Sequence, residues 1–435
     1  MFYRVDRVGP PPPPGAVLLL PNHANALLDP AVIWSTAGRD VRFLAKSPLF
    51  EGPLKLLIAG SGAIPVYRRL DQGADVSRNA ETFSAVSAAL AAGDAVCVFP
   101  EGVSHSTGRL EPLRTGAARM VLSAEQQGTS VALVPVGLNF DRKAAFRSRV
   151  TVVYGPPFSA VDLRLPDEAG HGAAVRALTD RIAGHMKRLL IEADPSADAA
   201  IVDRVDRLYA AARGRSDDAA ERVERRRVIA TGIERLRSTS PARYEEILLR
   251  VRRYDERLRR FGLRDRHLDW QVSRKEAVKF AARELLAGVV LLPLAAAGLI
   301  LFVIPYHLTG FAARWFTQEH DVAATAQVVA GAIVYGLWLC VLSAVAGALG
   351  GRAVALTTFA VLPAVALAAL FAIERESAVV DAVRAWFVLR RASGAQRQLR
   401  RRRSDLAAVL DEVNEWLSAQ NAKETPARAA AQTPR

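Results

Sequence analysis

Hydrophobic positions in the first 160 residues fall in short runs separated by polar or helically periodic stretches. Residues 16–20, Ala-Val-Leu-Leu-Leu, and 95–99, Ala-Val-Cys-Val-Phe, carry no polar position and read as buried strands. Segments 131–140 and 149–155 read as further strands, the last closed by Pro156-Pro157, while 75–92 and 114–127 read as helices. That alternation is the signature of an α/β domain. From about residue 173 the pattern turns helical, with breaks at Pro195, Gly214 and Pro241. Over 204–274, Val205, Leu208, Ile247, Leu248 and Val251 recur at helical spacing in a heavily charged background, which predicts a helical arm.

Three uncharged stretches follow at 285–313, 322–351 and 353–373, and a membrane span needs only about 20 apolar residues. If all three crossed, the tail carrying Arg390, Arg391, Arg397 and Arg400 to Arg403 would lie opposite the N-terminal domain, against the positive-inside tendency. An even number of crossings is therefore expected. Residues 326–349 and 353–371 form the hairpin, turned at Gly350-Gly351-Arg352, and 285–308, interrupted by Pro293 and Pro305, is expected to be re-entrant or monotopic. Leu399, Leu406, Leu410, Val413 and Leu417 mark an amphipathic helix, and 421–435 is expected to be disordered.

Composition sharpens this outline. The chain has 435 residues, 51% of them hydrophobic, which together with the apolar stretches points away from a purely soluble protein. The net charge of +14 admits nucleic-acid binding, yet no nucleic-acid motif is present. Arginines beside apolar spans are accounted for by attraction to anionic lipid headgroups, worth about 1 kcal/mol per basic residue near the surface. The opening residues are charged and lead into a stiff linker at Pro10 to Pro14, with little structure expected ahead of His23 and no secretory signal, so the α/β domain is expected on the cytoplasmic side. Cys97 and Cys340 lie in apolar runs, where packed thiols are expected, with neither a disulfide framework nor a metal set.

Two motifs carry candidate chemistry, each just after an apolar run: Asn22-His23-Ala24-Asn25-Ala26-Leu27-Leu28-Asp29-Pro30 and Phe99-Pro100-Glu101-Gly102. A neutral imidazole can take the proton of an alcohol attacking a carbonyl, and a nearby carboxylate can fix its tautomer. No Gly-x-Ser-x-Gly elbow supplies a protein nucleophile, so the attacking oxygen would belong to the substrate. Each residue also has a plainer reading. Asp29 before Pro30 is what a helix N-cap looks like, His23 alone suits a solvated loop, and Pro100-Glu101-Gly102 alone suits a turn.

Taken together, these residues resemble the glycerolipid acyltransferase superfamily, whose four ordered blocks can be traced over roughly the first 160 residues. The His-x4-Asp block is represented by His23 and Asp29, one residue further apart than usual, a longer form known in one branch of the superfamily. Gly62-Ala63-Ile64-Pro65-Val66-Tyr67-Arg68 matches the second block, with Pro65 where an aromatic is commoner; Phe99 to Gly102 matches the third, continuing as Val103-Ser104-His105-Ser106; Val134-Pro135-Val136 matches the fourth.

The resemblance implies an acyltransferase-type mixed sheet flanked by helices, with His23 and Asp29 catalytic. It assigns substrate binding to Gly62, Arg68, Glu101, Gly102 and Pro135, with Lys46, Arg69 and His105 as weaker candidates. A guanidinium at Arg68 suits bidentate phosphate binding. No metal or cofactor is implied; acyl-CoA or acyl carrier protein serves as donor, and the partners are membrane lipids and a lysophospholipid or glycerophosphate acceptor.

The expected organisation is an α/β domain over 1–165, a helical arginine-rich arm over 166–280, membrane helices over 281–375, and a basic amphipathic helix with a disordered tail over 376–435. The expected function is acylation of 1-acyl-glycerol-3-phosphate by an integral protein of the inner or cell membrane. Acylation of glycerol 3-phosphate or dihydroxyacetone phosphate is the alternative, favoured by the longer His-to-Asp spacing. A non-catalytic membrane scaffold is the other class.

Overall fold

The computed structural model describes residues 2–25, 28–51, 58, 60–67, 78–105, 109–141, 148–163, 168–192, 198–269, 274–316, 323–391 and 393–431. The chain divides into two compact units, one of residues 1–201 with 218–231 and 319–325, the other of 202–217, 232–318 and 326–435.

In the first unit, strands β1 (Phe2–Val8), β2 (Val17–Pro21), β3 (Val41–Lys46), β4 (Ile64–Val66), β5 (Ala95–Cys97), β6 (Ala132–Phe140) and β7 (Ser148–Tyr154) form one mixed sheet in the order β1-β7-β6-β2-β5-β3-β4. Strands β2 to β6 run parallel to one another, and β1 and β7 run the opposite way. Strand β2 lies in the middle, which is why its run lacks polar residues: successive side chains enter opposite layers and both layers are dry. Leu18 and Leu20 pack with Leu90 of α2 (Asn79–Ala91), Val121 of α3 (Gly116–Gln126) and Leu178 of α4 (Glu168–Lys187). On the other face Val17 and Leu19 pack with Ile33 of α1 (Leu28–Thr36) and with Val134 and Val152. Each such side chain contributes about 1.5–3 kcal/mol by leaving water.

The N-terminal segment corrects the expectation of little structure: Phe2–Val8 is an edge strand paired parallel to β7. Its charged residues suggested a solvated lead-in, but Asp6 is buried and takes a hydrogen bond from Arg222 at 2.7 Å, which also donates to Thr151 at 3.0 Å. Arg222 belongs to α6 (Ala219–Thr239), and a partner more than 200 residues away leaves no trace in local polarity.

In the second unit a core of Leu208, Val251, Tyr254, Leu258, Leu268, Ala385, Leu389 and Leu406 joins α5 (Asp198–Arg213), α7 (Pro241–Arg260), the single turn Asp265–Leu268, and the later helices α10 (Arg352–Arg391) and α11 (Ser393–Ala431). Arg204 binds Asp255 at 2.6 Å and Asp265 at 2.7 Å, and Tyr254 donates to Asp265 at 2.7 Å.

Among the described residues, three helices are long and apolar enough to cross a membrane: Leu291–Ala312 within α8 (Arg274–Phe316), Val329–Gly350 within α9 (Ala323–Gly350), and Arg352–Ile373 within α10. Large apolar side chains stand exposed along them, Ile300 at 74% and Leu349 at 86%, as lipid-facing positions would. The expected break of the first stretch at Pro293 and Pro305 is corrected, since α8 runs unbroken through both. Each proline removes one ladder bond, a loss that a helix packed among others tolerates. Helices α8 and α10 approach so closely that a Cβ on Gly298 would lie 2.1 Å from that of Ala369, and Trp338 donates to the Leu301 carbonyl at 2.8 Å. Gly351, at φ +84°, makes the turn between α9 and α10 where the sequence placed it. Two more expectations are corrected. Helix α11 continues to Ala431, through residues expected to be disordered, in a stretch rich in the helix-former alanine. Cys340 is exposed on α9, not packed.

Candidate active site

The site is assembled at the carboxyl ends of the parallel strands, where an open α/β sheet leaves its crevice. Strands β2 and β5 are hydrogen-bonded neighbours, so the loops following them emerge together, one carrying His23 and the other Glu101. Asn22 fixes the exit of β2. Its side chain accepts from the Leu138 N–H at 2.7 Å and donates to the Leu138 carbonyl at 3.3 Å, extending the ladder to β6 by one side chain.

His23 Nδ1 lies 2.9 Å from Asp29 Oδ2, and the two side chains are 17% and 0% exposed. The same oxygen accepts the backbone N–H groups of Ala24 and Asn25, each at 2.7 Å. Asp29 is therefore not the N-cap that Asp29-Pro30 suggested. It sits one residue inside α1 and gathers the loop that precedes the helix, binding the ring of His23 in the same grasp. With Nδ1 held by the carboxylate, Nε2 is the nitrogen left to receive a proton. The other face of the imidazole is closed by Phe99, stacked at 4.1 Å between centroids.

Glu101 is buried, and its Oε1 accepts the backbone N–H of His23 at 3.3 Å. His105 pairs with the same carboxylate and donates its backbone N–H to the His23 carbonyl at 3.1 Å. Between them Gly102 adopts φ +76°, and a Cβ there would meet Arg114 Cγ at 3.2 Å, so the turn is built for glycine. The Arg114 N–H closes it on the Pro100 carbonyl at 2.7 Å. Cys97, beneath, is fully buried; burial pushes its thiol well above the ordinary value and the Asp29 charge adds to that, which leaves it a packing residue.

His23, Asp29, Glu101, Gly102 and His105 thus form one connected cluster. Other candidates stand apart from it among the described residues. Lys46 ends β3 in register with Val66 of β4, at the same sheet edge but exposed. Gly62, at φ +67°, precedes β4. Pro135 lies within β6 in register with Leu20, and its carbonyl accepts from the Gly155 N–H at 2.9 Å. Arg68 and Arg69 lie outside the described residues. Tyr67, just before them, is clamped by Asn79, which accepts its N–H at 3.2 Å and donates to its carbonyl at 2.8 Å. The roles of Asn22, Phe99 and Asn79 escape sequence reading; the only signal was the position of the first two beside the motif residues.

Residues 9–139 match the family model described as Acyltransferase. Over 81 residues the chain is 41% identical to glycerol-3-phosphate O-acyltransferase 2 of Saccharomyces cerevisiae, covering 18% of this chain and 11% of that one. Over 125 residues it is 29% identical to glycerol-3-phosphate O-acyltransferase 1 of the same yeast, covering 28% and 16%. An uncharacterized acyltransferase of Schizosaccharomyces pombe is 24% identical over 200 residues, covering 45% and 28%. The chain therefore matches less than a third of the length of each of these relatives. The crystal structure of the 1-acyl-sn-glycerophosphate acyltransferase of Thermotoga maritima is similar over 42% of this chain and 72% of that one, at 16% identity and a TM-score of 0.29, too low to carry an argument. Residues 9–139 are thus similar to acyltransferase domains, which supports the resemblance to the glycerolipid acyltransferase superfamily.

Proposed function

We propose that this protein is a membrane-bound O-acyltransferase that moves a fatty acyl group from a thioester, acyl-CoA or acyl carrier protein, to a hydroxyl of glycerol 3-phosphate. The observation that carries the chemistry is the His23 Nδ1 to Asp29 Oδ2 contact of 2.9 Å, with Nε2 left for the substrate. Support for glycerol 3-phosphate over the first-expected 1-acyl-glycerol-3-phosphate comes from the activity for which the two yeast relatives are named and from the longer His-to-Asp spacing.

In this reading Nε2 of His23 takes the hydroxyl proton as the oxygen attacks the thioester carbonyl. Asp29 stabilises the imidazolium, the tetrahedral oxyanion collapses, and the C–S bond breaks. The departing thiolate takes the proton from Nε2, leaving ester, thiol and a neutral histidine. Glu101 orients the glycerol hydroxyls and Arg68 receives the phosphate. The domain acts on the cytoplasmic face.

Membranes containing the protein, given labelled acyl donor and a panel of glycerol 3-phosphate, dihydroxyacetone phosphate and 1-acyl-glycerol-3-phosphate, test the reading. Preferred acylation of glycerol 3-phosphate is expected. Preference for the lysophospholipid overturns the acceptor, and no acylation of any member leaves the scaffold reading.

A further inference from the structure

Helices α2, α3 and α4 line an open groove of about 580 Å³ on the face of the sheet opposite α1. Its wall includes Phe83, Thr115, Arg119, Ser123, Gln126 and Arg176. Two features mark it. No carboxylate is among its described lining residues, and the exposed side chains of Arg119 and Arg176 have no ion-pair or hydrogen-bond partner among the described residues. Several other arginines of this unit are tied to oxygen: Arg42 to Asp94, Arg78 to Glu81, Arg181 to Asp162 and Arg222 to Asp6. A Cβ on Gly172 would meet only the Arg176 guanidinium, at 3.8 Å, so that side chain has open room beside it. Two guanidiniums with unused donors, two hydroxyls, an amide and one aromatic ring make a surface for phosphates attached to a flat base.

The place of the groove relative to the candidate active site is the second argument. Its Thr115 directly follows Arg114, whose N–H closes the Pro100 to Gly102 turn. From Thr115 to Ser123 the helix runs eight residues, about 12 Å at 1.5 Å each. A pantetheine arm, equivalent to roughly five extended residues, reaches about 16 Å. A nucleotide held near Arg119, Ser123 and Arg176 would therefore leave its thioester within reach of the turn that carries Glu101.

We propose that this groove binds the phosphorylated nucleotide end of an acyl-CoA donor, with Arg119 and Arg176 on its phosphates and Phe83 against the base. The assignment rests on the acyl-transfer reading above and specifies its donor.

The test uses the full-length protein in nanodiscs, with Arg119→Ala and Arg176→Ala. Each variant should raise the KM for acyl-CoA about tenfold, the loss expected for a charge-assisted hydrogen bond, while the KM for the acceptor stays put. Coenzyme A affinity, measured directly by equilibrium dialysis without turnover, should fall by the same factor. With acyl-pantetheine, which lacks the nucleotide, the penalty of each variant should shrink severalfold. An unchanged donor KM and coenzyme A affinity would overturn the groove assignment, as would an equal penalty with acyl-pantetheine. So would a protein that binds no coenzyme A and accepts only acyl carrier protein. Coenzyme A binding that depends on both arginines in a protein that acylates nothing would support the groove and remove the acyl-transfer reading instead.

Discussion

One carboxylate oxygen of Asp29 holds the ring of His23 and two backbone N–H groups, so the base and its loop share a single anchor. His23→Ala should abolish acyl transfer with circular dichroism unchanged, because the ring is partly exposed and stacks only on Phe99. Asp29→Asn should lower kcat by about 10²–10⁴-fold, and near-normal turnover in either variant would remove the pair from the mechanism. Gly102→Ala should cost about 1 kcal/mol in stability and reduce activity further, since the left-handed φ and Arg114 both oppose a Cβ. Residue chemistry was legible where it depends on type and spacing: His23, Asp29, Glu101 and Gly102 all stand out in the motifs. It was illegible where it depends on a neighbouring strand. Asn22 matters through Leu138, and Asp29 serves the loop before it instead of capping the helix it begins, neither of which spacing can reveal.

At the scale of elements, buried strands declared themselves by their unbroken apolar runs, whereas the edge strand β1 did not. Its stability is tied to ionisation. Burial would raise the Asp6 carboxyl, but hydrogen bonds and charge from Arg222 and Arg4 outweigh it and hold the group below its ordinary value of 3.8. A depressed folded-state value means the contribution is complete above the unfolded value and lost as pH falls through the folded one. Amide protection in Phe2–Val8, taken relative to the intrinsic exchange rate at each pH, should therefore fall below about pH 4, ahead of the central strands. Protection that stays flat into strong acid would show that the pair does not hold the strand. Arg222→Ala should weaken the unit at neutral pH, by less than the about 3–5 kcal/mol that a wholly unpaired buried charge costs, because Arg4 still donates to Asp6 at 2.6 Å; denaturant unfolding reads the loss. The membrane-length helices were equally plain in the sequence, yet continuity through Pro293 and Pro305 was not, because only packing among helices decides whether a proline ends one.

For the molecule as a whole, the three apolar helices must fit one another as well as the bilayer. Gly298→Ala should lower the melting temperature in detergent through its collision with Ala369, and adding Ala369→Gly should restore it. A Gly298→Ala protein that melts normally would mean the two helices do not meet there. The acyltransferase unit has its own constraint in time. The segment matched by the family model, 9–139, leaves out β1, β7 and Arg222. During synthesis the first strand emerges long before the strand beside it, and Arg222 follows Asp6 by 216 positions. At ordinary translation speeds that is a wait of roughly ten to forty seconds. Through that interval the nascent sheet has an unfinished edge and a carboxylate that lacks its long-range partner, so a chaperone, or early docking at the bilayer, has a defined window in which to act.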